Sequence, residues 1–216
     1  MSGRGSKKRR ILLCFLAYVV LVHVLDTFQV LSWRLSFGFD GFKFVAWLVL
    51  PLLFMMMRGQ MDWRFFSFRR WRKGDWGLLV AMLGLGALVM AVVTLVPSLR
   101  QTYSSMNRLA TAAKIQQAFL GPYGLVYMGS WLIGWEFIHR YALLRQLENV
   151  WPRYGWLIIP VIEGIYHLQK PLAEAAGMVA FSLVFTLWAL KRHNTLLPLL
   201  AHAIIEIELL LFILFV

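Results

Sequence analysis

Residues 45–57 read "VAWLVLPLLFMMM", an unbroken run without a charged side chain. In lipid every backbone N–H and C=O must be satisfied inside the segment, as in a helix, or by closing strands into a barrel. Barrel strands alternate apolar and polar residues, and this run does not alternate. It reads as a helix in a lipid-like setting.

The rest of the chain has the same character. Of its 216 residues 60% are hydrophobic and only 15% are charged, too apolar for an ordinary soluble domain. A span needs roughly 20 apolar residues, and the candidates are 11–31, 42–57, 77–98, 118–144, 155–170, 173–190 and 195–216. The expected fold is all-α, a polytopic transmembrane helix bundle of about seven spans. A basic cytoplasmic tail at 1–10 precedes a single membrane-embedded domain over 11–216, with no internal repeat or domain boundary. The polar stretch 99–117, "LRQTYSSMNRLATAAKIQQ", suits a helix lying on the outer surface. Pro97, Pro122, Pro160, Pro171 and Pro198 fall near span ends, where helices start or kink.

The formal charge of +12 raises the question of nucleic acid, and the placement of the basic residues answers it. With the N-terminus inside, fifteen of the 22 Lys and Arg fall in the tail, the 58–76 loop, 145–154 and 191–192, against six in the opposite loops. That asymmetry is the positive-inside pattern. It implies a multi-pass plasma-membrane protein with a cytoplasmic N-terminus, whose basic loops meet anionic lipid and not nucleic acid. "KKRRILLCFLAYVVLV" lacks a small-residue cleavage site after it and reads as a retained first span. Cys14 is the only cysteine, which leaves no internal disulfide, and it is expected as a buried small hydrophobe. Trp33, Trp76 and Trp151 fall at span ends, as an aromatic belt requires.

The acids divide unevenly. Asp26, Asp40, Asp62 and Asp75 belong to the first half, whereas the second holds six glutamates, several well inside predicted helices. Each ionised group at the bilayer centre costs on the order of 2.5–3.5 kcal/mol even on a lenient scale, so such groups must be paired or hydrated. Residues four apart share a helix face, and three pairs have this spacing: Glu136 with Arg140, Glu163 with His167, and His202 with Glu206. At about 1.5 Å per residue, Glu136 and His167 lie roughly 18 Å from the inner end, and His202 and Glu206 roughly 10 and 16 Å deep. The three pairs are therefore expected to converge on the midplane.

A carboxylate and an imidazole sharing one water can remove its proton as it attacks a carbonyl, while a second imidazole donates to the oxyanion. The alternative is zinc, with His167, His202 and Glu136 as ligands and a water in the open position. No H-E-x-x-H accompanies them. The plainest alternative makes all three pairs structural, joining helices by hydrogen bonds.

These residues also carry a family likeness. "WEFIHR" (135–140), "EGIYH" (163–167) and "HAIIE" (202–206) resemble, in order, the E-E-x-x-x-R, F-x-x-x-H and H-x-x-x-N/D motifs of the CAAX prenyl protease and bacteriocin-processing (CPBP) intramembrane proteases. "YHLQKPLAEAAG" (166–177) is similar to the H-x-x-K-P-x-x-E stretch of the branch whose first motif is W-E-F. The resemblance covers roughly 118–210. It implies an intramembrane endopeptidase of a bacterial-type membrane acting on membrane-tethered or amphipathic peptides, with Glu136, Arg140, His167 and His202 carried over as site residues; Glu206 stands where Asn or Asp is usual, and Glu163, where Phe is usual, joins the candidate site because it lies one turn from His167. Trp135 occupies the position of the first family glutamate, credited with activating water. Glu136 or Glu163 then takes that task beside His167, with His202 and Glu206 at the oxyanion, or the chain is a catalytically silent immunity or membrane-partner protein. A proton-coupled transporter would also use buried Glu and His, but repeat symmetry is absent.

The remaining polar residues receive structural readings. His139 is expected to be solvated or interfacial, and His23 and Asp26 to make polar helix contacts. His193 is a turn residue, Glu208 makes a buried or interfacial contact, and Lys170 with Glu174 forms an ion pair at the outer end.

Overall fold

The computed structural model describes residues 2–31, 33, 35, 39–97, 122–170 and 172–215. Seven helices run through them: α1 (Ser2–Thr27), α2 (Gly41–Met57), α3 (Lys73–Leu95), α4 (122–150), α5 (Ile158–Tyr166), α6 (Leu172–Arg192) and α7 (Leu196–Phe215). The all-helical expectation holds. Among the described residues Gly5–Thr27, Lys73–Val92 and Ala175–Arg192 are long and apolar enough to cross a membrane, and Gly41–Met57 is a shorter apolar helix. The surface helix expected over 99–117 lies outside the described residues.

Boundaries differ from the sequence expectation where side chains outside the apolar run favour a helix. α1 begins at Ser2, so the basic residues read as a tail continue the first helix; Lys and Arg are good helix formers. α4 continues past 144 to 150. α5 is only nine residues long, extended by 3₁₀ turns at Gly155–Leu157 and His167–Gln169. Local caps fix the starts. The Asp40 carboxylate accepts from the Lys43 N–H (3.0 Å) at α2, and Asp75 accepts from the Arg72 N–H (2.6 Å) at α3, each satisfying a free N-terminal donor.

α4 is the centre of the bundle, touching α1, α2, α6 and α7. Every residue from 134 to 144 is buried, including the bulky side chains that could equally have faced lipid. Close approach of α2 depends on Gly134, where a Cβ would lie 3.0 Å from Trp47 Cβ and 3.2 Å from the Leu48 nitrogen. Small residues at helix crossings admit such contact. α1 turns Leu12, Phe15, Val19 and Val22 to the core. Cys14, expected to be buried, is exposed.

The two ends of the bundle are distinct. At one, Tyr141 donates to the Gln60 carbonyl (2.8 Å), Asn194 Nδ2 donates to the Ser67 carbonyl (2.7 Å), and Arg70 donates to the His193 carbonyl (2.7 Å). The connections at 58–72 and 193–195, which the charge distribution assigns to one side, thus meet. At the other end Lys43 Nζ lies 3.5 Å from Asp26 Oδ2, Tyr166 donates to the same carboxylate, and the Asp40 N–H donates to Ser130 (3.1 Å).

Candidate active site

Halfway along α4 the helix widens into a π-helical stretch, Phe137–Leu143, immediately after Glu136. Such turns occur often at functional sites. This one holds Arg140, which has no exposed surface. Its guanidinium forks onto the Glu163 carboxylate, with Nη2 2.7 Å from Oε2 and Nη1 bonded to Oε1. Nη2 also reaches Ser182 Oγ (3.3 Å) on α6, Nε lies 3.3 Å from Glu136 Oε2, and the group sits over the Phe185 ring. A buried cation is tolerable when carboxylates face it from two sides in this way, although the Nε–Glu136 contact is an ion pair without a hydrogen bond.

The other oxygen of Glu136 turns towards α7. His202 Nδ1 donates to Glu136 Oε1 at 2.7 Å, and His202 Nε2 stands 3.7 Å from Glu206 Oε1. Side-chain exposure rises along this chain from 2% at Glu136 through 8% at His202 to 23% at Glu206. A carboxylate on Nδ1 fixes the tautomer and leaves Nε2 as the basic atom, here on the more accessible side. Trp131 packs edge-on against His202 at 5.8 Å.

His167 stands slightly apart. Its Nδ1 donates to the Glu163 carbonyl (2.8 Å), and its ring meets Trp135 edge-on at 5.7 Å. The structure therefore joins Glu136, Arg140, Glu163, His202 and Glu206 in one network and sets His167 at its edge. Of the three spaced pairs, Glu136–Arg140 and His202–Glu206 meet through side chains. The Glu163 carboxylate turns to Arg140 instead of His167.

His139 departs from expectation: it is fully buried, not interfacial. Its Nδ1 donates to the Trp135 carbonyl (2.9 Å) and lies 3.3 Å from Glu163 Oε1, because α4 is enclosed on all sides. His23 does not pair with Asp26; its ring lies 4.9–5.7 Å from those of Trp47, Trp135, His139 and Tyr166. Glu208 packs into the space over Gly86, where a Cβ would come within 2.6 Å of its Oε2. The Glu174 side chain, and with it the expected Lys170 ion pair, lies outside the described residues. Sequence reasoning missed Ser182, whose signal was a lone hydroxyl in the apolar run "VAFSLVF" (179–185).

Among the described residues no three His, Cys, Asp or Glu side chains converge as metal ligands do. Glu136 Oε1 is bonded to His202 Nδ1 and its Oε2 faces Arg140 Nε, so this carboxylate is engaged by side chains on both oxygens. The set His167, His202 and Glu136 does not fit zinc in this arrangement.

Residues 119–207 match the family model described as Type II CAAX prenyl endopeptidase Rce1-like. That span contains α4 to α6 and the part of α7 that carries His202 and Glu206. No curated protein and no solved structure matches the chain. Over those residues the chain is similar to a CAAX-type prenyl endopeptidase family, and its long apolar helices are those of a membrane protein.

Proposed function

We propose that the protein is an intramembrane endopeptidase cleaving membrane-tethered or amphipathic peptides with a water activated by His202. The carrying observation is the buried 2.7 Å contact between Glu136 and His202, which joins α4 to α7. Glu136 holds the imidazole and stabilises its charged form; Arg140 holds Glu136; Glu163 balances Arg140. His202 Nε2 takes a proton from water as the water oxygen bonds to the scissile carbonyl carbon, and Glu206 accepts the second water hydrogen. The carbonyl electrons move to its oxygen, beside which the His167 ring lines the site. Collapse breaks the C–N bond, and the leaving nitrogen takes the proton from His202. Glu163 is too deeply clamped to serve as the base. The protein would sit as a multi-pass plasma-membrane protein with its basic end in the cytoplasm.

The test is cleavage of membrane-tethered peptides by the protein in liposomes, read by mass spectrometry. His202→Ala lowers the rate by about 10²–10⁴-fold, as expected for loss of a general base, and Glu136→Gln lowers it in the same direction. Cleavage that survives His202→Ala removes the mechanism. One observation favours a second reading, a peptide-binding relative without activity: Trp135 occupies the place of the family's first glutamate and its indole lies 5.7 Å from the His167 ring. Wild-type protein that retains a peptide without cutting it would select that reading.

A further inference from the structure

A groove of about 520 Å³ runs between α1 and α2, outside the Rce1-like span. Lys7 and Arg10 line it from α1, Arg58 lines it from the end of α2, and no acidic side chain lines it. Its walls continue as Ile11 on α1 and as Leu50 and Phe54 on α2. The pattern follows from the helix directions. α1 passes from cations to apolar residues along one face, α2 passes from apolar residues to a cation along another, and the three cations meet at the same end of the groove. Leu50, Phe54 and Arg58 are spaced four apart on one face of α2, which places the apolar Leu50 and Phe54 within about 12 Å of helix beneath the cationic end.

We infer that this groove binds one anionic glycerophospholipid, its phosphate on Lys7, Arg10 and Arg58 and one acyl chain against Ile11, Leu50 and Phe54. Two guanidinium groups and an ammonium suit a phosphodiester carrying a single negative charge, and basic pockets between membrane helices bind such headgroups. A free anion would leave the apolar wall uncovered, and a zwitterionic lipid would bring its own headgroup cation against the three cations of the groove. The site is independent of the catalytic proposal, since none of its residues contributes to the Glu136–His202 network.

Native mass spectrometry of the full chain, after equilibration with vesicles of equal phosphatidylglycerol and phosphatidylcholine, tests this. Wild type should retain one phosphatidylglycerol. The variant carrying Lys7→Gln, Arg10→Gln and Arg58→Gln should lose at least tenfold of that retention, and Leu50→Trp, which fills the apolar wall without changing charge, should lose it too. A control removing the same charge from exposed positions, Arg64→Gln, Arg69→Gln and Lys73→Gln, should retain the lipid. Equal loss in both triple variants, equal retention of phosphatidylcholine, or an unaffected Leu50→Trp each overturn the site in favour of diffuse surface charge. Leu50→Trp keeps every cation and carries the test alone should the triple variant not fold.

Discussion

Arg140 is the residue on which the buried charges depend, because it faces Glu163 and Glu136 together with no solvent to share the load. Arg140→Ala would strand both carboxylates and is expected to cost about 3–5 kcal/mol, measurable as lost resistance to denaturant in mixed micelles. Arg140→Met combined with Glu163→Met should recover much of that loss, since an ion pair and a well-packed apolar pair of similar volume are often comparable in a core. Spacing alone exposed the Glu136–Arg140 and His202–Glu206 contacts, because residues four apart share a helix face. It did not reveal the partner of Glu163, which is chosen by a guanidinium 23 residues away. Neither did it place His139, whose burial is set by the helices that surround α4.

At the scale of elements, the crossing of α2 and α4 rests on the missing side chain at position 134. Gly134→Val would push atoms into the Trp47 and Leu48 backbone and should destabilise the protein by about 1–3 kcal/mol, as overpacking does, with a matching fall in the melting temperature. Gly84→Val is the contrast, because a Cβ there meets nothing within 4 Å. Long apolar runs made the helices readable from the sequence, and α2 is nearly coextensive with the expected 42–57 span. The short α5 was less readable: a 3₁₀ turn and an α-helix share the same apolar composition and differ only in hydrogen-bond register. The π-helical stretch in α4 has no signature in the order of its residues.

For the whole molecule, the hydrogen bonds between the 58–72 and 193–195 connections require that both lie on one side of the membrane. With Cys14→Ser as background, Arg69→Cys and Lys191→Cys should react with an impermeant maleimide from the same face of sealed vesicles, and Leu35→Cys from the other. In the proposed orientation the first face is the cytoplasmic one. Labelling of Arg69→Cys and Lys191→Cys from opposite faces would contradict the bundle itself. Charge asymmetry could reveal which loops keep company, whereas the depth at which Glu136 meets His202 required the packed helices.

The Arg140 network also bears on how the chain is made. Glu136 and Arg140 leave the ribosome before Glu163, and His202 follows 66 residues after Glu136. For that interval the nascent α4 holds a carboxylate matched only by its own arginine, while the second carboxylate and the imidazole are still to be translated. Release of α4 into hydrocarbon before the later helices arrive would leave Arg140 with one of its two carboxylates and Glu136 without its imidazole, a cost that packing of α5 and α7 removes.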